Sequence, residues 1–221
     1  MNPAPTIQSM SDSEAELPVR VIDNVLSTAE FVELASSIGK PIELPEGNVC
    51  KELYVTDSNE AKPNTLSSRF GMGMFPFHTD TVFWGLPTRW VLLRAVSGDL
   101  DRPTHLQSFE DLLQGLSTST VRRSAWICDT GVSKRYSTLS FVHEGKEGFR
   151  YDPNCMKPAN NAARQIDEII RQQCFGLTGK SIKWIPNRVA IIDNWAWLHA
   201  RGESSAPSES KSRTLQRIYL K

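Results

Sequence analysis

The stretch that says most about the fold is Gly71-Met-Gly-Met-Phe-Pro-Phe-His-Thr-Asp80. It ends in a His-x-Asp motif, in which His78 and Asp80 are two positions apart. Side chains at positions i and i+2 of a β-strand project from the same face of that strand. We therefore predict a strand over His78–Phe83 that directs one imidazole and one carboxylate at the same point.

A histidine far along the chain supplies the third candidate metal ligand. His199 closes the stretch Asp193-Asn-Trp-Ala-Trp-Leu-His199 and would come from a distant strand. Two imidazoles and one carboxylate form a facial triad, which leaves three adjacent positions open and suits iron(II) that handles dioxygen and a chelating co-substrate. The His-x-Asp motif alone is weak evidence, because a lone histidine on an apolar strand is more often a core residue.

The rest of the sequence reads mainly as β-structure. Short apolar runs separated by turn residues predict the further strands Val19–Val25, Cys50–Thr56, Arg89–Val96, Ala125–Asp129, Arg135–His143, Gly148–Tyr151, Ser181–Ile185, Val189–Asp193 and Arg213–Leu220, with a hairpin turn at Gly145–Gly148. Helical spacing predicts helices over residues 28–38, after Ser27 as N-cap, and over Gln107–Leu116 and Asn160–Gln173. Many short strands and few helices favour a sandwich or barrel with flanking helices.

Size and composition narrow the class of protein. The 221 residues of the chain predict a single domain over residues 18–221, and the polar, Pro/Ser-rich composition of residues 1–17 predicts a flexible N-terminal segment. Lys+Arg and Asp+Glu both number 25, so the net charge is zero and no nucleic-acid partner is expected. No stretch approaches the ~20 apolar residues of a membrane span, and the N-terminus has no signal-peptide pattern. We expect a cytoplasmic protein without a membrane partner, and we leave a homo-oligomer open.

Two further motifs complete an ordered set of four. Thr104, in Pro103-Thr104, lies 26 residues beyond His78, and Arg213 and Arg217 lie 14 and 18 residues beyond His199. With this set the chain resembles the clavaminate synthase-like and taurine dioxygenase-like family of iron- and 2-oxoglutarate-dependent oxygenases over roughly residues 66–220. The resemblance implies a mainly β fold with flanking helices, in which a double-stranded β-helix forms a jelly-roll, cupin-like barrel.

The resemblance also implies a role for each motif residue. His78, Asp80 and His199 match the iron(II) ligands of the family. Arg213 matches the arginine that pairs with the distal carboxylate of 2-oxoglutarate, a task for which the two parallel N–H donors of a guanidinium are suited. Thr104 matches the hydroxyl that supports the same carboxylate, and Arg217 matches a position near the substrate or the inner end of the co-substrate.

The implied reaction is oxidation of a small molecule by dioxygen and 2-oxoglutarate, with release of succinate and carbon dioxide. Hydroxylation is the expected outcome because Asp80 is present, whereas relatives that halogenate have a small residue there. The resemblance favours an amino acid, a peptide or a natural-product intermediate as substrate. Phe149-Arg-Tyr-Asp152 is similar to a segment that lines the substrate pocket in some relatives, so Arg150 could pair with a substrate carboxylate and Asp152 with an amine.

Some features depart from the family pattern, and some alternatives stay open. Pro186-Asn-Arg188 replaces a common Pro-Gly-Asp turn, and only 118 residues separate Asp80 from His199, fewer than in most relatives. Desaturation or ring closure could occur at the same site. A zinc-dependent jelly-roll hydrolase or a non-catalytic binding barrel would keep the fold and change the chemistry, and Arg150 with Asp152 could form a surface ion pair worth little.

Overall fold

A computed structural model of the chain describes residues 19–61, 66–97, 100–174, 180–204 and 213–221. The flexible segment predicted over residues 1–17 lies outside these ranges. The strands are β1 (Val19–Ile22), β2 (Cys50–Tyr54), β3 (Trp90–Ser97), β4 (Thr104–Ser108), β5 (Ala125–Asp129), β6 (Lys134–Thr138), β7 (Ser140–His143), β8 (Lys146–Phe149), β9 (Met156–Pro158), β10 (Lys180–Ile182), β11 (Val189–Asp193), β12 (Trp197–Arg201) and β13 (Thr214–Leu220). The helices are α1 (Thr28–Ile38), α2 (Leu66–Phe70), α3 (Phe109–Leu113), α4 (Thr118–Arg123) and α5 (Asn161–Cys174).

The larger sheet has five antiparallel strands in the order β1-β11-β3-β13-β2. Its central strands β3 and β11 are almost continuously apolar because both of their faces are covered. One face packs Leu92, Ile191 and Ile218 against Phe31 and Ala35 of α1. The predicted strands that correspond to β3, β11 and β13 are confirmed to within a residue at each end.

Helix α1 begins and ends where its sequence predicts. The side chain of Ser27 accepts a hydrogen bond from the backbone N–H of Glu30, as an N-cap residue does. Gly39 follows the last helical residue, and its N–H donates to the carbonyl oxygen of Ala35. The prediction of Ser27 as the cap is therefore confirmed, and the helix covers the outer face of the larger sheet.

A smaller sheet of three antiparallel strands, β10-β4-β12, faces the larger one. The core between the two sheets contains Leu93 and Leu215 from the larger sheet and Leu106 and Trp197 from the smaller. The outer face of the smaller sheet packs through Leu198 and Ala200 into a second core with α3 and α5. Two facing sheets with helices on their outer surfaces form a double-stranded β-helix, so the predicted fold class is confirmed. Among the described residues, no helix is long and apolar enough to cross a membrane.

Several sequence predictions of secondary structure need correction. Residues 78–83 do not form a strand, because His78 makes an isolated bridge and the chain then turns through Thr81, which has a φ of 58°. The helix predicted at Gln107–Leu116 is shorter, since Gln107 and Ser108 pair with β12 and Ser108 caps α3. The run predicted as one strand over residues 135–143 is divided between β6 and β7.

The hairpin between β7 and β8 turns earlier than predicted. His143 pairs with Lys146, so the two turn residues are Glu144 and Gly145, and not the stretch Gly145–Gly148. Both turn residues have a positive φ, 49° and 76°, as a two-residue turn of the primed type requires. Gly148 lies within β8, where an added Cβ would come within 3.0 Å of the Phe141 ring, so close packing explains this glycine.

Candidate metal centre

The two candidate histidine ligands are brought together by paired main-chain hydrogen bonds. The N–H of His78 donates to the carbonyl oxygen of His199 at 3.0 Å, and the N–H of His199 donates to that of His78 at 2.9 Å. The N–H of Phe75 also donates to the carbonyl oxygen of Arg201, so residues 75–78 run alongside β12. The two imidazole rings consequently lie with their centroids 4.5 Å apart.

Asp80 completes a compact cluster of three metal-ligating side chains. Its two carboxylate oxygens lie 3.9 Å from Nε2 of His78 and 3.9 Å from Nε2 of His199. One ligand atom from each residue lies within 4.8 Å of the other two. Imidazole nitrogen and carboxylate oxygen bind metal ions at ~2.0–2.2 Å, so atoms at these separations can reach one ion between them. Among the residues that the structure describes, no other group of His, Cys, Asp and Glu has this arrangement.

The orientation of two candidate ligands, His78 and Asp80, is fixed by neighbouring groups. Nδ1 of His78 donates to the carbonyl oxygen of Pro76 at 2.9 Å, which leaves Nε2 as the atom with a free lone pair. The main chain of Asp80 is held by the fully buried Asn194, which accepts from its N–H at 2.8 Å and donates to its carbonyl oxygen at 3.1 Å. Asn194 also donates to the carbonyl oxygen of Thr88, so it links both ends of the turn that follows Asp80.

Electrostatics hold the cluster in the protonation state that binds a metal ion. Burial by itself would raise the pKa of Asp80, but the charge of Arg217, the two imidazoles and a hydrogen bond from Tyr219 together keep that pKa below its usual value. Burial and the neighbouring His78 lower the pKa of His199 to about 3. At neutral pH the cluster therefore presents neutral imidazole at His199 and an ionised carboxylate at Asp80.

This donor set fits a divalent transition metal. Two nitrogens from buried histidines and one carboxylate from the largely buried Asp80 converge on one point. Grouping these buried polar atoms has a desolvation cost, which a bound cation would offset. Two histidines and one carboxylate with open positions are typical of non-haem iron(II) oxygenase sites.

Arg217 lies directly beside this cluster. Its Nη1 is 3.3 Å from Oδ2 of Asp80, and its guanidinium stacks over the ring of Tyr219 at 4.4 Å. Arg217 and Tyr219 are two residues apart on β13, so both project into the space between the sheets. The structure therefore places Arg217 next to the carboxylate of a candidate ligand.

The other two predicted co-substrate residues lie together at one end of β12. Thr104 pairs with Arg201 across the smaller sheet, and its hydroxyl accepts a hydrogen bond from Nε1 of Trp184 at 3.0 Å. Arg213 is buried, donates to the carbonyl oxygen of Arg102 at 2.5 Å, and is close enough to lower the pKa of Arg201. Arg217 is four positions after Arg213, at most ~14 Å of extended chain.

Arg201 is a residue of this region that sequence reasoning missed. Its guanidinium donates to the carbonyl oxygens of Gly71 and Gly73 and stacks on the ring of Phe75 at 3.6 Å. Burial, followed by the charges of Arg102 and Arg213, lowers its pKa to about 9. Arg201 thus holds the loop that leads into His78. Arg201 is two positions after His199, so on a strand both side chains project from the same face, and this spacing could have pointed to Arg201. The same spacing relates Tyr219 to Arg217.

The predicted substrate residues lie outside the metal cluster and have other contacts. Arg150 is buried, and its Nη atoms donate to the carbonyl oxygens of Val82, Trp84 and Gly85 at 3.0–3.3 Å. The carboxylate of Asp152 accepts from the backbone and side-chain N–H groups of Asn154 in a local turn. The structure therefore ties Arg150 to the turn after Asp80 and does not pair it with Asp152.

Comparison with known proteins identifies solved structures that have a similar fold. No protein-family model and no curated protein sequence matches the chain. The solved structures that match include PvcB, an Fe, α-ketoglutarate-dependent oxygenase of an isonitrile synthetic pathway (15% identity, TM-score 0.65, 92% of this chain and 75% of that one). They also include asparagine oxygenase with Fe(II), 3-hydroxyasparagine and succinate (16%, 0.69, 95% and 75%) and a taurine dioxygenase from Burkholderia xenovorans (18%, 0.69, 96% and 83%). At these identities the likeness establishes the fold, which is the one that these oxygenases have.

Proposed function

We propose that the chain is an iron(II)- and 2-oxoglutarate-dependent dioxygenase that hydroxylates a small molecule. The observation that carries the proposal is the convergence of His78, Asp80 and His199 inside a fold of this class. When bound, iron(II) with 2-oxoglutarate and dioxygen supplies the oxidation of a C–H bond, and succinate and carbon dioxide are released. The protein itself contributes position, charge and exclusion of water.

The ligand residues have separate tasks in this proposal. His78 and His199 provide Nε2 lone pairs, the first because its Nδ1–H is held by Pro76 and the second because burial keeps its ring neutral. Asp80 provides negative charge and is restrained through its main chain by Asn194. Arg217 balances the charge of Asp80, and it lies where it can also contact a carboxylate bound at the metal.

Arg213 and Thr104 form the proposed clamp for the distal carboxylate of 2-oxoglutarate. Both are buried, both lie beside Arg201, and a guanidinium with a hydroxyl offers several donors to one carboxylate. The clamp lies within ~14 Å of chain from Arg217, which contacts the ligand carboxylate. A zinc hydrolase has no need of a dicarboxylate clamp, so this pair favours the oxygenase over that alternative.

The proposed substrate class is an amino acid, a peptide or a natural-product intermediate. Asparagine oxygenase, one of the similar structures, holds 3-hydroxyasparagine and succinate. Arg150 and Asp152 remain candidate substrate contacts, and both hydrogen-bond within the protein, Asp152 to Asn154 and Arg150 to the turn after Asp80.

Succinate formation tests this function directly. The protein would be supplied with iron(II), 2-oxoglutarate and air and incubated with pools of amino acids and short peptides, with succinate measured by mass spectrometry. We expect at least one pool to raise succinate above the level given by the His199→Ala variant. Equal succinate from both proteins in every pool, together with no iron retained by the wild type, would contradict the proposal.

A further inference from the structure

A recess of about 590 Å³ lies beside the turn at Trp84 and Gly85 and is rich in arginine. Two of its arginines come from the end of α4, one from β6 and one from the residue after β8: Arg122, Arg123, Arg135 and Arg150. The recess has no part in the metal cluster described above. The four arginines of the recess therefore do not serve as ligands of the metal cluster.

Two of these guanidiniums converge on a single acceptor. Nη2 of Arg135 donates to the carbonyl oxygen of Trp84 at 2.7 Å, and Nη1 of Arg150 donates to the same oxygen at 3.0 Å. Burial and the charge of Arg135 lower the pKa of Arg150 to about 10. Like charges held this close repel each other, so an anion placed between them would be bound favourably.

The described part of the chain supplies little negative charge to the recess. The ion pair there joins Arg122 to Glu147 at 3.9 Å, and both side chains are exposed. Arg123 donates to the backbone and hydroxyl oxygens of Ser119, and no carboxylate of a described residue lies within 4.0 Å of Arg123, Arg135 or Arg150. Nε of Arg150 is buried and has no hydrogen-bond partner among the described residues.

The recess is connected to the metal cluster through a short turn. Arg150 donates to the carbonyl oxygens of Val82, Trp84 and Gly85, which follow Asp80 directly in the chain. Gly85 is five positions after Asp80, at most ~18 Å of extended chain and less in a turn. The recess and the metal cluster are therefore joined by one short segment of chain, residues 80–85.

We propose that this arginine recess binds a carboxylate or phosphate group of the molecule that is oxidised at the metal centre. The inference rests on the proposed function and narrows its substrate class to anionic molecules whose charged group lies away from the carbon that reacts. Guanidinium groups bind planar or tetrahedral oxyanions through paired N–H donors, and four of them suit either kind of group.

Anion binding is tested first, with inorganic sulfate as the probe. The full chain would be titrated calorimetrically, both without metal and after anaerobic loading with iron(II) and 2-oxoglutarate, which blocks the other carboxylate clamp. We expect Arg123→Gln and Arg135→Gln each to weaken sulfate binding about 10-fold, because each loses a charge-assisted hydrogen bond. Arg164→Gln, on the exposed face of α5, is the matched control and should bind sulfate like the wild type. Equal affinities in all four proteins, or no binding, would overturn the proposal.

The origin of the anionic group is tested second. Amino acids and short peptides would be screened for succinate formation in pairs, in which one member carries an added phosphate or carboxylate group and the other is the same molecule without it. We expect the active member of a pair to be the anionic one, and Arg135→Gln to raise its KM about 10-fold with kcat changed less than about threefold. If the recess binds sulfate but no anionic member is preferred, the site is separate from the substrate and the assignment fails. Sulfate binding without iron does not depend on oxygenase activity, so failure of the proposed function is recognised separately.

Discussion

Asn194 is a buried amide that positions the candidate ligand Asp80 through hydrogen bonds to its main chain. It makes three hydrogen bonds, to the N–H and carbonyl oxygen of Asp80 and to the carbonyl oxygen of Thr88. Its neighbour in the chain, Trp195, donates through Nε1 to the carbonyl oxygen of Pro87. The Asp-Asn-Trp segment therefore fixes the turn that follows Asp80, and its effect on the metal is indirect.

We expect Asn194→Ala to weaken iron(II) binding about 10–100-fold, which is typical for loss of a group that orients a metal ligand. The same change should lower the free energy of unfolding by about 2–3 kcal/mol, because buried backbone groups lose their partners. Metal titration and urea denaturation measure the two effects. Asn161→Ala, at the exposed start of α5, is the control and should change neither by more than a small amount. An unchanged metal affinity in Asn194→Ala would show that Asp80 does not depend on this residue.

The ligand assignment itself is tested by His199→Ala. This variant should lose more affinity for iron(II) than Asn194→Ala does, because it lacks one of three ligands, and turnover should fall to background. Far-UV circular dichroism should still show the folded protein, since β12 keeps its main-chain pairing with β4. His143→Ala, at the exposed end of β7, serves as the control histidine. Full activity in His199→Ala would make the assignment wrong.

Arg213 is tested through the co-substrate. Arg213→Gln should raise the apparent KM for 2-oxoglutarate about 10–100-fold, because a hydrogen-bonded charge pair with the distal carboxylate is lost. Arg213→Lys should have an intermediate effect, since it keeps the charge and loses the paired donors. Steady-state kinetics at saturating substrate would give these values. A KM that stays at the wild-type value in both variants would remove Arg213 from the clamp.

Among single residues, the sequence predicts the candidate metal ligands better than it predicts the residues that hold those ligands in position. His78, Asp80 and His199 could be proposed because their residue types and order are informative by themselves. Asn194, Tyr219 and Arg201 act through contacts between segments more than 100 residues apart, and those contacts depend on strand pairings that no local pattern specifies. The spacing of two along β12 and β13 pointed to Arg201 and Tyr219 only once the strands were known.

Among the secondary-structure elements, Arg94 of β3 joins the larger sheet to the chain that enters α1. Its guanidinium donates to the carbonyl oxygens of Val25 and Leu26 and to the side chains of Gln216 and Asn187, at 2.7–2.9 Å. This face of β3 is remote from the metal cluster, because Leu93 on the other face lies in the core between the sheets. Arg94 therefore has a purely structural role.

We expect Arg94→Met to lower the free energy of unfolding by about 3 kcal/mol, because several buried acceptors lose a charged donor. Iron(II) affinity should stay within about twofold of the wild type. Urea denaturation and metal titration measure these quantities. Arg188→Gln removes the partly exposed ion pair with Asp23 and should cost about 1 kcal/mol or less. A loss of metal affinity in Arg94→Met comparable to that of Asn194→Ala would contradict the separation of the two faces.

Elements marked by a local sequence pattern, such as an apolar run or a capping residue, were predicted well. Short strands that depend on pairing with a distant strand were not. Apolar composition identified β3 and β11, and Ser27 with Gly39 identified both ends of α1. The short strands β9 and β4 were missed because they depend on partners, β5 for the one and β12 for the other. The turn after Asp80 was predicted as a strand because a threonine with positive φ is unexpected there.

In the molecule as a whole, two facing sheets enclose the proposed site. The cluster of three ligands, Arg217 and Tyr219 lie between the sheets, and Thr104 with Arg213 lies at the end of the barrel marked by Arg201. Residues so far apart in the chain meet only because β13 crosses between β3 and β2 and because β12 pairs with β4 and with His78. Fold class could be predicted from composition and motif order, whereas strand order could not. That residues 18–221 form one domain stays a prediction.

The proposed function requires iron(II) and 2-oxoglutarate to bind together at this cluster. Anaerobic titration of the iron(II)-loaded protein with 2-oxoglutarate, followed by visible absorbance, tests it most directly, because a 2-oxo acid that chelates iron(II) gives a weak metal-to-ligand charge-transfer band. We predict that the band appears and saturates in the wild type, needs more 2-oxoglutarate in Arg213→Gln, and is absent in His199→Ala. No band in the wild type, or the same band in all three proteins, would contradict the account.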